Sequence, residues 1–216
     1  MATMRSMPEP ASVSVSGTPN RAGGLARRVF SNRLAIGLVF VAVGVALVRP
    51  HTLWGAYQTW GYLGSLAVVL AGVGLRFWAA GSAGTHTHSA EIEGPQLATT
   101  GPYAYVRNPI YLGSMILGLG MIGLIGDGRL LPLYVIAFAL LYAVIIPAEE
   151  RFLAGRFDVA YAAYSAAVPR IVPRMRPWRS GGVQHFHWQA ARGELRLLVV
   201  LVGIYGALEL GSWVRA

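Results

Sequence analysis

Apolar runs long enough to cross a bilayer recur along this chain, and they constrain its fold more than any other feature. Trp60 to Ala80 is interrupted only by Arg76, and a spanning helix needs roughly 20 such residues. Ile110 to Gly126 and Leu131 to Pro147 follow as a pair joined by the short polar turn GDGR, which predicts a helical hairpin. Upstream, Leu34 to Val48 becomes a first span, 34–54, once Leu53 and Trp54 extend it and the flanking arginines snorkel. Downstream, 195–213 reads as a fifth span or as a helix lying in the interface. With 55% of 216 residues hydrophobic, 12% charged and a mean hydropathy of +0.51, one soluble core of this size would not hide the apolar sequence. The predicted fold is all-α, a multi-pass transmembrane helical bundle.

The net charge of +9 comes from eighteen basic residues, all arginine, most of them beside apolar runs rather than on one polar helix face. That pattern speaks for positive-inside anchoring and against nucleic acid. Placing the tail, 1–33, in the cytosol puts Arg107 and the 149–196 region there too, leaving Arg49, Arg129 and Arg215 outside. The tail is rich in Ser, Pro and Gly without an apolar period, so it reads as a disordered basic segment ahead of one membrane domain, 34–216. Arginine-only basic usage suits a bacterial source and hence the cytoplasmic (inner) membrane. The absence of cysteine excludes thiolate nucleophiles and Cys-ligated metals. His86, His88, Glu91 and Glu93 form an HxH loop with no cysteine, a weak metal pattern read here as a solvated loop, so no metal site is expected. Small residues at four-residue spacing, Ala67 with Ala71 and Gly203 with Ala207 and Gly211, suggest close helix packing.

Two polar segments stand out on this background, and both fall on the predicted cytosolic side. The first contains GPYAYVRNPIY, 101–111, whose two prolines shape a loop that feeds a helix. Asn108 before Pro109 fits an N-cap with proline at the first helical position, and it sets Arg107 beside a positive helix end. Such a combination suits a carboxylate or phosphate, although Arg107 as one more anchor and the tyrosines as an interfacial belt would read equally well. The second segment opens with Glu149 and Glu150, which anchoring does not explain. Phe152, Leu153, Phe157, Ala160, Tyr161, Tyr164 and Val168 then share a face, predicting an amphipathic helix over 149–167 that ends in VPRIVPRMRP. Glutamates and an arginine together fit a cofactor that carries a cation and a carboxylate, such as S-adenosylmethionine.

At these residues the chain resembles the superfamily of isoprenylcysteine carboxyl methyltransferases and phospholipid methyltransferases. GPYAYVRNPIYLG, AEERF, RFDVAYAAY and AVPR follow one another as that superfamily's motifs do, and LRFWAAG resembles its second-helix ending. The resemblance implies a cytosolic-face pocket for S-adenosyl-L-methionine, built from the hairpin, its entry loop and the C-terminal amphipathic helix. It implies cofactor contacts from Tyr103, Arg107, Asn108, Pro109, Tyr111, Glu149 and Glu150. Arg107, Asn108 and Glu150 are the expected catalytic set, and Tyr161, Tyr164 and Arg170 the expected acceptor side. The implied activity is methyl transfer to a lipophilic or amphipathic acceptor through a carboxyl, amine or thiol. The competing readings are an NADPH-dependent membrane reductase of the sterol or steroid type and a non-catalytic membrane component. Two positions depart from the family pattern. Asn108 stands where the eukaryotic carboxyl methyltransferases have His, which removes a titratable group, and Asp158 stands where Gly is usual.

Overall fold

The computed structural model describes residues 53–83, 97–179 and 185–215. The tail, most of the expected first span and the loop of His86, His88, Glu91 and Glu93 lie outside the described residues. Four helices account for the described fold, and no strand occurs among the described residues. They are α1, Gln58–Ala83; α2, Pro109–Ile125; α3, Leu130–Ala167; and α4, Trp188–Arg215. A 3-10 turn at Gly55–Tyr57 precedes α1, and another at Gly101–Ala104 lies ahead of α2. Two helical stretches, Gly55–Ala83 and Leu130–Ala167, are long and apolar enough to cross a membrane, and α2 is apolar but shorter. At 17 residues α2 rises only about 26 Å.

Helices α1 and α2 run antiparallel at close range because glycine occupies their seam. A Cβ at Gly120 would come within 2.6 Å of Val69 N and 2.9 Å of Ser65 O. One at Gly72 would meet Leu117 and the Gly113 carbonyl across the same seam. Where lipid surrounds the helices, association rests on such backbone contact rather than on expelling water. Ala67 and Ala71, the small pair picked out by spacing, instead face outward and are exposed. Next to the glycines, Val69, Val73 and Leu117 form a core on which Leu198 and Leu201 of α4 pack.

Local chemistry sets the helix ends. Proline at its first position starts α2, where the missing N–H is no loss. Gly126 ends it in the left-handed region, φ 75°, with its N–H bonded to Ile122 O. In the following turn the buried Asp127 accepts from Arg129 Nε at 2.8 Å and Nη2 at 2.6 Å, satisfying the carboxylate at the hairpin tip. Across the hairpin, the Tyr134 hydroxyl donates to Ser114 O at 3.1 Å, a contact open because Gly118 has no side chain in the way.

Between the segments expected as a span, 131–147, and a separate amphipathic helix, 149–167, α3 shows no break, and its two helical parts meet at a later kink. The helix continues through Pro147. A proline removes one donor and crowds the carbonyl four residues back, which bends a helix with intact neighbouring turns rather than ending it. The break in regular geometry falls later, at Asp158, with φ 37° and ψ −111°. It is the one non-glycine with positive φ among the described residues. A Cβ is strained there, and this is the position where the resembled family carries glycine. Asp158→Gly should therefore raise the thermal unfolding midpoint in detergent, by about 1 kcal/mol in stability. An unchanged or lower midpoint would count against the strained kink.

Candidate functional site

Gly101 opens the entry loop at φ 59°, a left-handed conformation, and a Cβ there would lie 3.1 Å from Ser82 Cβ and 3.2 Å from Trp78 Nε1. Glycine thus lets the loop dock on the last turns of α1. Pro102, Ala104 and Val106 are buried beneath it. The segment after α3 then runs back along the loop and is stitched to it. Arg107 N donates to Pro169 O at 2.8 Å, Arg174 N to Tyr105 O at 3.0 Å, and Trp178 N to Ala104 O at 2.9 Å. The Tyr164 hydroxyl adds a bond to Tyr103 O at 2.9 Å, and Tyr164 packs with Tyr161, Val168 and Trp178. The two polar segments of the sequence therefore meet.

Where they meet, Glu150 is shared by two guanidiniums. Arg170 grips it with Nε 3.1 Å from both carboxylate oxygens and Nη2 2.5 Å from Oε2. From the other side Arg107 Nη2 stands 3.5 Å from Oε1. Glu150 and Arg107 are only 12% and 15% exposed, whereas Arg170 is half exposed. One carboxylate between two cations leaves a local excess of positive charge. Beside it two buried polar atoms have no hydrogen-bond partner among the described residues, Arg107 Nε and the Tyr161 hydroxyl. That hydroxyl lies within hydrogen-bonding reach of the Arg107 guanidinium, but without the geometry of a formed bond. Unpaired polar atoms at this depth are costly unless something else meets them.

Glu149 takes part in a second group. Its Oε1 accepts from the Tyr111 hydroxyl at 2.5 Å, and the Tyr111 ring packs on Tyr142 at 4.6 Å. Burial first, and the charge of Glu149 second, hold the Tyr103 phenol above its ordinary range. Nearby, Arg76 of α1 donates through Nε to Glu194 Oε2 of α4 at 2.7 Å, and through Nη1 to Ser114 Oγ and, at 3.5 Å, to Ile110 O of α2.

The expected residues thus separate into roles. Arg107, Glu150, Tyr161 and Arg170 converge on one group, and Tyr111 and Glu149 pair beside it, with Tyr103 close enough to feel the Glu149 charge. Pro109 is buried at the start of α2, and the Tyr164 hydroxyl is committed to holding the loop. Asn108 does sit at the N-cap position, but its side chain makes no cap bond. Its Nδ2 donates instead to Arg170 O at 3.1 Å, because the returning segment offers a carbonyl there. The sequence alone assigns no site role to Arg76, Ser114, Tyr142 and Glu194. Their signal was present in part, since Arg76 interrupts a span and Glu194 begins an apolar run, and charges in such places pair with one another.

With this geometry in place, comparison with known proteins supplies a family. Residues 59–159 match the phospholipid methyltransferase family. The chain is 29% identical over 202 residues to the cobalt-zinc-cadmium resistance protein CzcN of Cupriavidus metallidurans, covering 89% of each chain. It is 30% identical over 192 residues to the nickel-cobalt-cadmium resistance protein NccN of Alcaligenes xylosoxydans xylosoxydans, covering 84% of this chain and 85% of that one. No solved structure matches the chain. The protein belongs to the phospholipid methyltransferase family, within the superfamily of membrane methyltransferases that also holds the isoprenylcysteine carboxyl methyltransferases.

The shared carboxylate has a consequence for stability. Glu150→Ala would leave two guanidiniums facing each other with no counter-charge, a loss on the order of 3 kcal/mol. Arg170→Ala, which removes a half-exposed partner, should cost about 1 kcal/mol or less. Thermal unfolding of the two variants in detergent checks the order; equal losses would contradict the unequal burial.

Proposed function

We propose that the protein is an integral membrane, S-adenosylmethionine-dependent methyltransferase acting on a lipophilic or amphipathic acceptor, with its site at the cytosolic face of a multi-pass bundle in a bacterial inner membrane. The observation that carries this reading is the pair of buried, unpartnered polar atoms, Arg107 Nε and the Tyr161 hydroxyl, beside the start of α2, which no side chain caps. A carboxylate of the cofactor would satisfy both. Glu149, with Tyr111 donating to its Oε1, is placed to receive an ammonium. The donor set therefore fits the group.

When bound, the cofactor supplies a methyl group already activated on sulfonium, so the protein's task is alignment and the exclusion of water. Arg107 and Tyr161 would fix one end of it. Glu150 acts through Arg107, holding that guanidinium in place rather than meeting the ligand itself. The buried Val106 and Val168, on the two stitched segments, keep water from behind the loop. Asn108 carries no titratable proton, and Tyr111 holds the Glu149 carboxylate in position. Arg170, half exposed, is the residue left to meet the acceptor. The names of the two relatives speak of cation resistance and specify no acceptor.

Calorimetry with S-adenosylhomocysteine tests the proposal on the full chain in detergent. The wild-type protein should bind it, and Arg107→Ala should weaken binding by about tenfold or more, the worth of one charged hydrogen bond. Tyr161→Phe, which removes one neutral donor, should cost several-fold. Binding of NADPH in preference to S-adenosylhomocysteine would overturn the reading in favour of a reductase.

A further inference from the structure

We infer that Glu194, on α4 and outside the stretch that matches the family, is a positioning residue of the site, setting the first turn of α2 through Arg76 and with it the Tyr111–Glu149 pair. This inference rests on the proposed function and extends the site to a fourth helix.

Arg76, on α1, reaches two other helices at once. Its Nε meets Glu194 Oε2 at 2.7 Å, and its Nη1 donates to Ser114 Oγ and Ile110 O. Ser114 Oγ donates in turn to Ile110 O at 2.9 Å. Ile110 and Ser114 flank Tyr111 on α2, so the guanidinium braces the turn that carries the donor to Glu149. Gly113 makes the reach possible, because a Cβ there would lie 2.7 Å from Arg76 Cγ and 3.2 Å from Arg76 N. Both charged side chains are mostly buried, at 18% and 16% exposure.

Helix packing alone does not call for this ion pair. The α1–α2 seam is held by Gly72 and Gly120, and α4 packs on the Val69, Val73 and Leu117 core through Leu198 and Leu201. A buried pair adds little to such contacts, since desolvation offsets most of its attraction. It lies at the end of the bundle that bears Tyr103, Tyr111 and Glu149, and its charges reach the Tyr103 phenol. Without Glu194, Arg76 would keep only neutral acceptors and be drawn toward Glu149, disturbing the Tyr111 hydrogen bond.

The test places 3-fluorotyrosine at position 111 of the full chain and follows its fluorine resonance in detergent. Glu194→Gln should move that resonance, whereas Glu194→Asp should return most of it and Arg192→Gln, an exposed charge on the same helix, should leave it in place. Alongside the shift, Glu194→Gln should weaken S-adenosylhomocysteine binding by roughly tenfold. An unmoved resonance in folded Glu194→Gln overturns the inference. Should that variant not fold, Arg76→Lys decides, because it keeps the ion pair but loses the fork to Ile110 and Ser114 and must therefore move the resonance. A wild-type protein that fails to bind S-adenosylhomocysteine overturns the proposed function, and the fluorine shift alone then decides the positioning.

Discussion

Glu150, held by Arg170 on one side and Arg107 on the other, joins three parts of the chain that are far apart in sequence. Arg107 belongs to the loop entering α2, Glu150 to α3 and Arg170 to the segment that returns after it. The backbone bonds from Arg107 to Pro169 and from Arg174 to Tyr105 follow the same line. One shared carboxylate with these stitches gives an irregular loop the rigidity that a site needs. It also fixes where Arg107 points. The guanidinium has one edge toward Glu150, and its Nε remains buried without a partner beside the Tyr161 hydroxyl. The proposed anion site would rest on this unequal use of a single arginine.

That arrangement needs a firm support, which the glycine seam supplies. Backbone contact between α1 and α2 brings the last turns of α1 under the loop, where Ser82 and Trp78 meet Gly101. It also brings Arg76 across to the first turn of α2. The kink at Asp158 separates the span-like part of α3 from the turns carrying Tyr161 and Tyr164. A helix without that break would carry those turns along its original axis, so the strained residue and the site geometry belong together.

Much of the site was legible because polar residues are costly in an apolar chain. Paired glutamates at 149–150 had no explanation as anchoring, whereas the arginine and tyrosines of 101–111 read equally well as an anchor and an interfacial belt, and it was the order of the motifs that matched a known family. The helices were legible for the same reason. The inward faces were not, since both faces of a lipid-exposed helix are apolar and periodicity carries little information. Ala67 and Ala71 looked as good a seam as Ser65 and Gly72. The Arg76–Glu194 pair spans 118 positions, and nothing local foretells which helices will bring such residues together. Asn108 had the right position for a cap, but the carbonyl of Arg170 that claims its side chain appears only when the chain folds back.

The central claim, that Glu150 acts through Arg107, is tested most directly by a double-mutant cycle on S-adenosylhomocysteine affinity, using Glu150→Gln and Arg107→Ala. Glu150→Gln should weaken binding in the wild-type background and change nothing once Arg107 is alanine. Equal losses in both backgrounds would show that Glu150 meets the ligand on its own, and would contradict the claim.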